Sequence, residues 1–404
     1  MKLLDSMMSS FVKVGQLTII DVDGNKHVYG PGGVDSPSAV IRLTNEKLYR
    51  NLFLNPELKA GEAYMDGTLI CEQGGIRGLL EVFANNRGRL RSQPTQKILR
   101  RWFKKIRRFH QLNKTSVSRK NVKHHYDLSN EFYRLFLDDD LNYSCAYYQH
   151  SDMTLEQAQL AKKRHIASKL QLTPGVTVLD IGCGWGAMAI YLAEQFDCHV
   201  VGVTLSDEQY ELATKRIKDR GLSEKVEIKL MDYRDVTQKF DRVVSIGMFE
   251  HVGLNHYLEY FKSIKALLND SGCAVIHSIG RKGGPGSTGA WIRKYIFPGG
   301  YSPALSETFE QIEKSGLWVT DCEILRLHYA ETLLEWDKRF QANRDKVASM
   351  FDQRFCRMWE FYLIISEFSF RYGKHMNFQI QLSKNVDDIP ITRDYMRFVE
   401  MENE

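Results

Sequence analysis

Hydrophobic positions along the chain switch between a period of two and a period of three to four, and the switches mark out three regions. In Leu17–Gly30 two alternating runs flank an Asp23-Gly24-Asn25 turn, which predicts a β-hairpin. Further on, Ile76, Leu79, Leu80 and Phe83 recur at helical spacing, predicting a helix over Gly75–Asn85. Residues 1–86 therefore read as a small N-terminal α/β domain. From residue 124 to 404 strand and helix patterns alternate, which predicts an α/β fold with a mostly parallel sheet. Val176–Gly182 is a short apolar run bounded by Pro174-Gly175 and by glycines, as a buried parallel strand requires. A helix over Ala187–Phe196 follows, then the strand around His199–Thr204. Next comes a helix with Ser206 as N-cap, Gln209 three residues later and Gly221 past its end. Strands are expected at Val226–Leu230, Asp241–Ile246 and Ala274–Ile279.

Charge changes this picture at one place. Between Arg87 and Lys123 there are fourteen Lys/Arg and no Asp/Glu, so the rest of the chain holds 41 basic against 50 acidic residues. Within this basic linker, 87–123, Ile98, Trp102, Ile106 and Phe109 fall three or four residues apart. Lys97, Arg100, Arg101, Lys104, Lys105, Arg107 and Arg108 cover most of the other face, predicting a basic amphipathic helix. Anionic lipid headgroups and nucleic-acid phosphates both suit such a face. The apolar stripe favours lipid, and no other nucleic-acid module is visible. No apolar run approaches the roughly 18 residues of a membrane-spanning helix. The seven cysteines are dispersed, without a CxxC pair or metal-ligand spacing, so no metal is expected. A cytoplasmic protein peripherally associated with a membrane is the expectation.

The most chemically loaded segment is Asp180-Ile-Gly-Cys-Gly-Trp-Gly186, between a predicted strand and helix. Glycines at 182, 184 and 186 permit a tight turn and close approach of a ligand to free helix N–H groups. The spacing is GxGxG, not the GxGxxG of dinucleotide sites, and the next strand ends in Thr204-Leu-Ser206 without a ribose-binding carboxylate. The segment resembles the S-adenosylmethionine turn of Rossmann-like class I methyltransferases.

Further motifs occur in order: His124–Tyr133, Tyr143–Tyr147, Gly202–Ser206, Gly247–Gly253, His277–Gly280, Phe297–Gly300 and His328–Leu333. Together with the glycine turn they resemble the cyclopropane-fatty-acyl-phospholipid synthase family, related to the mycolic acid cyclopropane synthases, over residues 120–385. A further match, Gly61-Glu-Ala-Tyr-Met-Asp-Gly67, extends the resemblance into the N-terminal region.

The resemblance implies an enzyme that adds a methylene from S-adenosylmethionine across a cis double bond of a phospholipid acyl chain. Bound bicarbonate would serve as base, and the enzyme would be a homodimer on a bilayer containing unsaturated acyl chains. It places Cys145, Glu250, His277, Ile279 and Tyr329 around the bicarbonate, with backbone groups of Cys145 and Ile279 as hydrogen-bonding partners. It places Tyr126, Ser144, Gly182, Gly184, Trp185, Thr204, Gln209 and Asp232 around the cofactor. Taken singly, Glu250-His251 would read as a surface pair, His277 as a core histidine and Tyr329 as packing; their joint occurrence gives the functional reading. Trp291, Tyr295, Ile296 and Phe297 are candidates for a lipid entrance. Three other outcomes stay open: an acyl-chain methyltransferase that stops at a methyl or methylene branch, a lipid-binding protein with an inactive methyltransferase fold, and a nucleic-acid methyltransferase that uses the basic helix.

Overall fold

The structure is a computed structural model that describes residues 1–92 and 128–402. Two compact units share the chain. The first draws its described residues from Met1–Arg107, Ser287–Ile296 and Trp336–Gly373, and the second from Arg108–Gly286, Phe297–Glu335 and Lys374–Glu404. The consecutive blocks expected from sequence, 1–86, 87–123 and 124–404, therefore differ from the compact units. Two segments of the expected catalytic block pack with N-terminal residues. Of the basic linker, residues 93–123 lie outside the described residues.

In the first unit the hairpin of β1 (Gln16–Ile20) and β2 (Lys26–Tyr29) turns around Asp21, whose carboxylate accepts from the N–H groups of Asp23 and Asn25 at 3.0 and 2.9 Å. β3 (Ser38–Leu43) joins β1 in parallel, and β4 (Leu69–Gln73) completes a sheet of order β2-β1-β3-β4. The helix Gly75–Ser92 buries Ile76, Leu79 and Val82, a stripe at three-residue spacing.

The Gly61–Gly67 motif ties this sheet to the two late segments. A Cβ on Gly61 would lie 2.5 Å from the Trp291 indole and 2.9 Å from the Phe361 ring. Glu62 accepts from Lys294 at 2.6 Å, the Tyr64 hydroxyl donates to Glu360 at 2.6 Å, and Arg354 donates to Asp66 at 2.8 Å. Only a residue without a side chain fits at position 61. Gly61→Ala is expected to overpack this contact and cost about 1–3 kcal/mol, read as a lower urea midpoint; an unchanged midpoint would contradict it. Trp291 and Ile296 are each 1% exposed, so the surface proposed for them as a lipid entrance is spent on packing.

The second unit is built on a seven-stranded sheet of order β10-β11-β9-β8-β5-β6-β7. Its strands are β5 (Thr177–Ile181), β6 (His199–Thr204), β7 (Val226–Leu230), β8 (Phe240–Ile246), β9 (Leu268–Arg281), β10 (Trp318–Leu325) and β11 (His375–Ser383). β5 to β9 pair in parallel, whereas β11 runs antiparallel to both β9 and β10. The mostly parallel α/β expectation holds. Successive β5 residues serve opposite faces: Leu179 and Ile181 join one core with Val243, Phe249 and Tyr260, while Val178 joins the other with Val200, Val244 and Val275. Apolar burial on both faces explains why these strands read as near-continuous apolar runs.

The helices Ala187–Phe196 and Asp207–Asp219 occupy the expected stretches, and Ser206 caps the second by accepting from the Gln209 N–H at 3.3 Å. In such sheets ligands bind beyond the carboxyl ends of the parallel strands. No helix among the described residues is long and apolar enough to cross a membrane.

Candidate active site

A pocket opens at the carboxyl ends of β5, β6, β7 and β8. Its lining includes Ser144, Gly182, Gly184, Trp185, Thr204, Gln209 and Asp232. These are seven of the eight residues assigned to the cofactor from sequence; Tyr126 lies outside the described residues. Gly182, Gly184 and Gly186 have φ of 78°, 55° and 80°, the left-handed region in which glycine carries no Cβ penalty. The turn leads into the N-terminus of Ala187–Phe196, where backbone N–H groups lack intrahelical partners.

The walls differ in character. Trp185 packs on Tyr133 with ring centroids 4.9 Å apart, and its indole N–H donates to Asn130 at 2.6 Å. The Thr204 hydroxyl donates to Gln209 Oε1 at 2.8 Å. Asp232 is clamped by Arg234, whose Nε and Nη2 donate to its two oxygens at 2.8 and 2.7 Å. That pairing makes Asp232 and Arg234 one planar unit rather than a free acceptor.

Lining residues not assigned to the cofactor from sequence include Asp180 and Lys162. Asp180 has a buried oxygen, Oδ2, without a hydrogen-bond partner, and burial pushes its pKa up to about 7. Lys162 is 2% exposed; its ammonium donates to Asn142 Oδ1 at 3.0 Å and Ser144 Oγ at 2.9 Å, and burial lowers its pKa to about 8. Asp180 stood inside the glycine motif and carried a signal. Lys162 carried none, because Lys162-Lys163-Arg164 reads as a solvated face. A turn of three left-handed glycines, an unsatisfied buried carboxyl and a clamped Asp suit a ligand with cationic and hydroxyl donors, and these residues fit S-adenosylmethionine.

Of the five residues assigned to the reaction centre, Glu250 and Ile279 are in direct contact, and Cys145 and Glu250 each adjoin a pocket-lining residue in the chain. Glu250 sits in the 3-10 turn Phe249–His251 after β8, 8% exposed. Its Oε1 accepts from the Ile279 N–H at 2.6 Å, and its buried Oε2 has no hydrogen-bond partner. Burial raises its pKa to about 7, with the Ile279 N–H pulling the other way. The neighbouring His251 instead lines the pocket. Ile279 therefore spends its N–H on orienting Glu250, a different use from the bicarbonate contact expected of it.

Cys145 is fully buried, and desolvation raises its thiol pKa, so it is no thiolate nucleophile. Its neighbours tie it to the helix His328–Ala342. The Ala146 N–H donates to Thr332 Oγ1 at 3.0 Å and the Tyr148 N–H to His328 Nδ1 at 3.0 Å. Tyr329, in the same first turn and three residues before Thr332, is 9% exposed. Gly247 links the groups further: its N–H donates to the His277 carbonyl at 2.9 Å, and a Cβ on it would lie 3.9 Å from Ser144. His277 is 1% exposed and bonded through both ring nitrogens to β11.

The family described as mycolic acid cyclopropane synthetase matches residues 113–380. This chain belongs to that family. It is 36% identical over 390 residues to a probable fatty acid methyltransferase of Pseudomonas putida, covering 93% of this chain and 94% of the relative. It is 38% identical over 360 residues to the cyclopropane-fatty-acyl-phospholipid synthase of Escherichia coli K12, covering 87% and 90%. The solved mycolic acid cyclopropane synthase CmaA1 complexed with SAH and CTAB superposes with a TM-score of 0.62 at 34% identity, covering 67% of this chain and 99% of that one. As a member of the family the chain is an S-adenosylmethionine-dependent methyltransferase.

Proposed function

We propose that this enzyme adds the methyl carbon of S-adenosylmethionine to the cis double bond of unsaturated phospholipid acyl chains and closes a cyclopropane ring, with bound bicarbonate as base. The observation that carries the reading is Glu250: a buried carboxyl with one oxygen pinned, the other unpartnered, and a pKa near neutrality, placed beside the cofactor pocket. When bound, the cofactor supplies an electrophilic methyl group on a sulfonium centre.

The protein's part begins with Gly182, Gly184, Thr204, Gln209 and the Asp232–Arg234 unit, which hold and orient that ligand. The buried wall of Trp185 and Tyr133 keeps water from the electron-deficient carbon chain. The double bond would form one carbon–carbon bond to the methyl as the methyl–sulfur bond breaks, S-adenosylhomocysteine leaving as a neutral thioether and the chain keeping a carbocation. Ring closure then removes one proton from the new methyl group, and that carbon's freed electron pair forms the second bond of the ring. A bicarbonate would be held by Glu250 Oε2, the Tyr329 hydroxyl and the backbone N–H of Cys145. With a pKa near 7, Glu250 can share a proton with such an anion or give it up. The phenol ring of Tyr329 can face the cation.

Relatives of similar identity bear names that differ on the product, since the Pseudomonas putida protein is called a probable fatty acid methyltransferase. A branched product is accordingly the second reading; it differs only in which proton leaves the carbocation. The bilayer partner, peripheral attachment through 87–123 and a homodimer complete the proposal. A substrate test uses radiolabelled S-adenosylmethionine with vesicles of cis-monounsaturated phosphatidylglycerol, with fully saturated vesicles and RNA in parallel. Label is expected in the unsaturated lipid alone. Label in RNA or in saturated lipid would contradict the assignment.

A further inference from the structure

Strand β11 reads Asn377, Phe378, Gln379, Ile380, Gln381, Leu382, a polar–apolar alternation that normally marks one solvated face. Here Asn377, Gln379 and Gln381 are each no more than 1% exposed. Register places Gln379 opposite His277 and Asn377 opposite Ile279. The Gln379 amide nitrogen lies 3.1 Å from His277 Nδ1, and the Asn377 amide nitrogen lies 3.2 Å from Nε2.

These contacts determine where the ring carries its proton. A neutral imidazole has one N–H and one lone pair, and an imidazolium has two N–H groups; neither can accept at both nitrogens. One amide must present its oxygen instead. Gln379 is not free to do so, because its Oε1 accepts from the Lys169 ammonium at 2.7 Å and an ammonium offers only protons. Asn377 is free: its buried Oδ1 has no hydrogen-bond partner, and turning the amide end for end brings that oxygen to Nε2. Nδ1 therefore accepts from Gln379, and Nε2 carries the hydrogen.

We infer that Lys169 and Gln379 are positioning residues that lock His277 as the neutral Nε2–H tautomer with both ring nitrogens held by β11, so that it supports the reaction centre as a fixed neutral ring and not as a base. The functional half of this inference rests on the proposed place of His277 in the active site. Lys169 is itself held, bonded to the Glu323 carboxylate that also pairs with His165 at 2.6 Å. His165 in turn stacks on Tyr147, with centroids 4.1 Å apart and planes within 9°. A chain of ring-stacking, ionic and hydrogen-bond contacts thus runs from the Tyr143–Tyr147 motif to the His277–Gly280 motif. Protonating Nδ1 would set an N–H against the Gln379 N–H. The nearby charges of Lys162, Lys169 and His165 oppose an imidazolium, while Glu323 favours one but is paired with two of them. Burial acts in the same direction, pushing the His277 pKa down to about 3.

The test is nitrogen NMR of protein labelled at its histidines, with the His277 signal assigned by its loss in His277→Asn. The lock predicts an unprotonated Nδ1 and a protonated Nε2, unchanged between about pH 5 and pH 9. An Nδ1–H tautomer, or titration near the ordinary histidine range, would overturn it. Gln379→Glu puts a carboxylate before Nδ1 and is expected to draw a proton there. Lys169→Met, which frees the Gln379 amide to turn, is expected to yield mixed tautomers. In both variants kcat is expected to fall roughly 10–100-fold with KM for the cofactor little changed. Altered tautomers with unchanged kcat would leave the lock standing and remove His277 from the reaction.

Discussion

Glu250→Gln is expected to lower turnover by about 10²–10⁴-fold while S-adenosylmethionine binds with affinity close to that of the parent. The substitution keeps an oxygen to accept from the Ile279 N–H, so the turn Phe249–His251 retains its anchor. What it removes is a group able to exchange a proton near neutrality. The same residue makes a stability prediction of definite sign. Its folded-state pKa of about 7 lies above the ordinary 4.5, so between these values the folded chain binds more protons than the unfolded one. The contribution is fully present below about pH 4.5, falls as pH rises and is gone above about pH 7, a change on the order of 3 kcal/mol. Glu250→Gln should flatten that part of the stability–pH curve, read as urea midpoints at several pH values. Cofactor affinity falling in step with turnover would make Glu250 structural. An unflattened curve would place its pKa elsewhere.

Gly182→Val is expected to weaken binding of S-adenosylhomocysteine by on the order of 100-fold or more, measured by calorimetry. At φ of 78° any Cβ is strained, and this one would come within 3.0 Å of Met248 Cβ and Cγ. Left-handed backbone costs roughly 1–2 kcal/mol and the overpacking about 1–3 kcal/mol. The turn can relieve both by moving, and binding must reverse that movement, at about 1.4 kcal/mol per tenfold in affinity. Gly175 supplies the control: its φ is 81°, but a Cβ there meets nothing within 4 Å, and it is not among the pocket-lining residues. Gly175→Val should cost stability and leave affinity alone. Equal losses in the two variants would assign the effect to backbone strain in general.

These residues also show what sequence can and cannot carry. β5 to β8 and their helices were legible because strands buried on both faces are apolar runs, and because caps such as Ser206 punctuate them locally. The pocket was legible for the same reason: its glycines and Thr204 sit at strand ends, where spacing in sequence is spacing in space. β11 hid its meaning, since Asn377, Gln379 and Gln381 look solvated and are buried against Lys169 and His277, partners some hundred residues or more away. Lys162 was hidden likewise, its ammonium satisfied by Asn142 and Ser144 across a turn. The make-up of the first unit was out of reach for another reason. The Gly61 motif is explained only by Trp291 and Phe361, and no local pattern announces that residues 336–373 belong with it.

Ring closure can be read by mass spectrometry of cis-monounsaturated phospholipid vesicles incubated with the enzyme and S-adenosylmethionine, before and after catalytic hydrogenation under alkene-selective conditions. Ring closure gives a product heavier by one CH₂ that takes up no hydrogen. A product with the same gain that takes up hydrogen would retain a double bond and contradict ring closure, making the enzyme an acyl-chain branching methyltransferase.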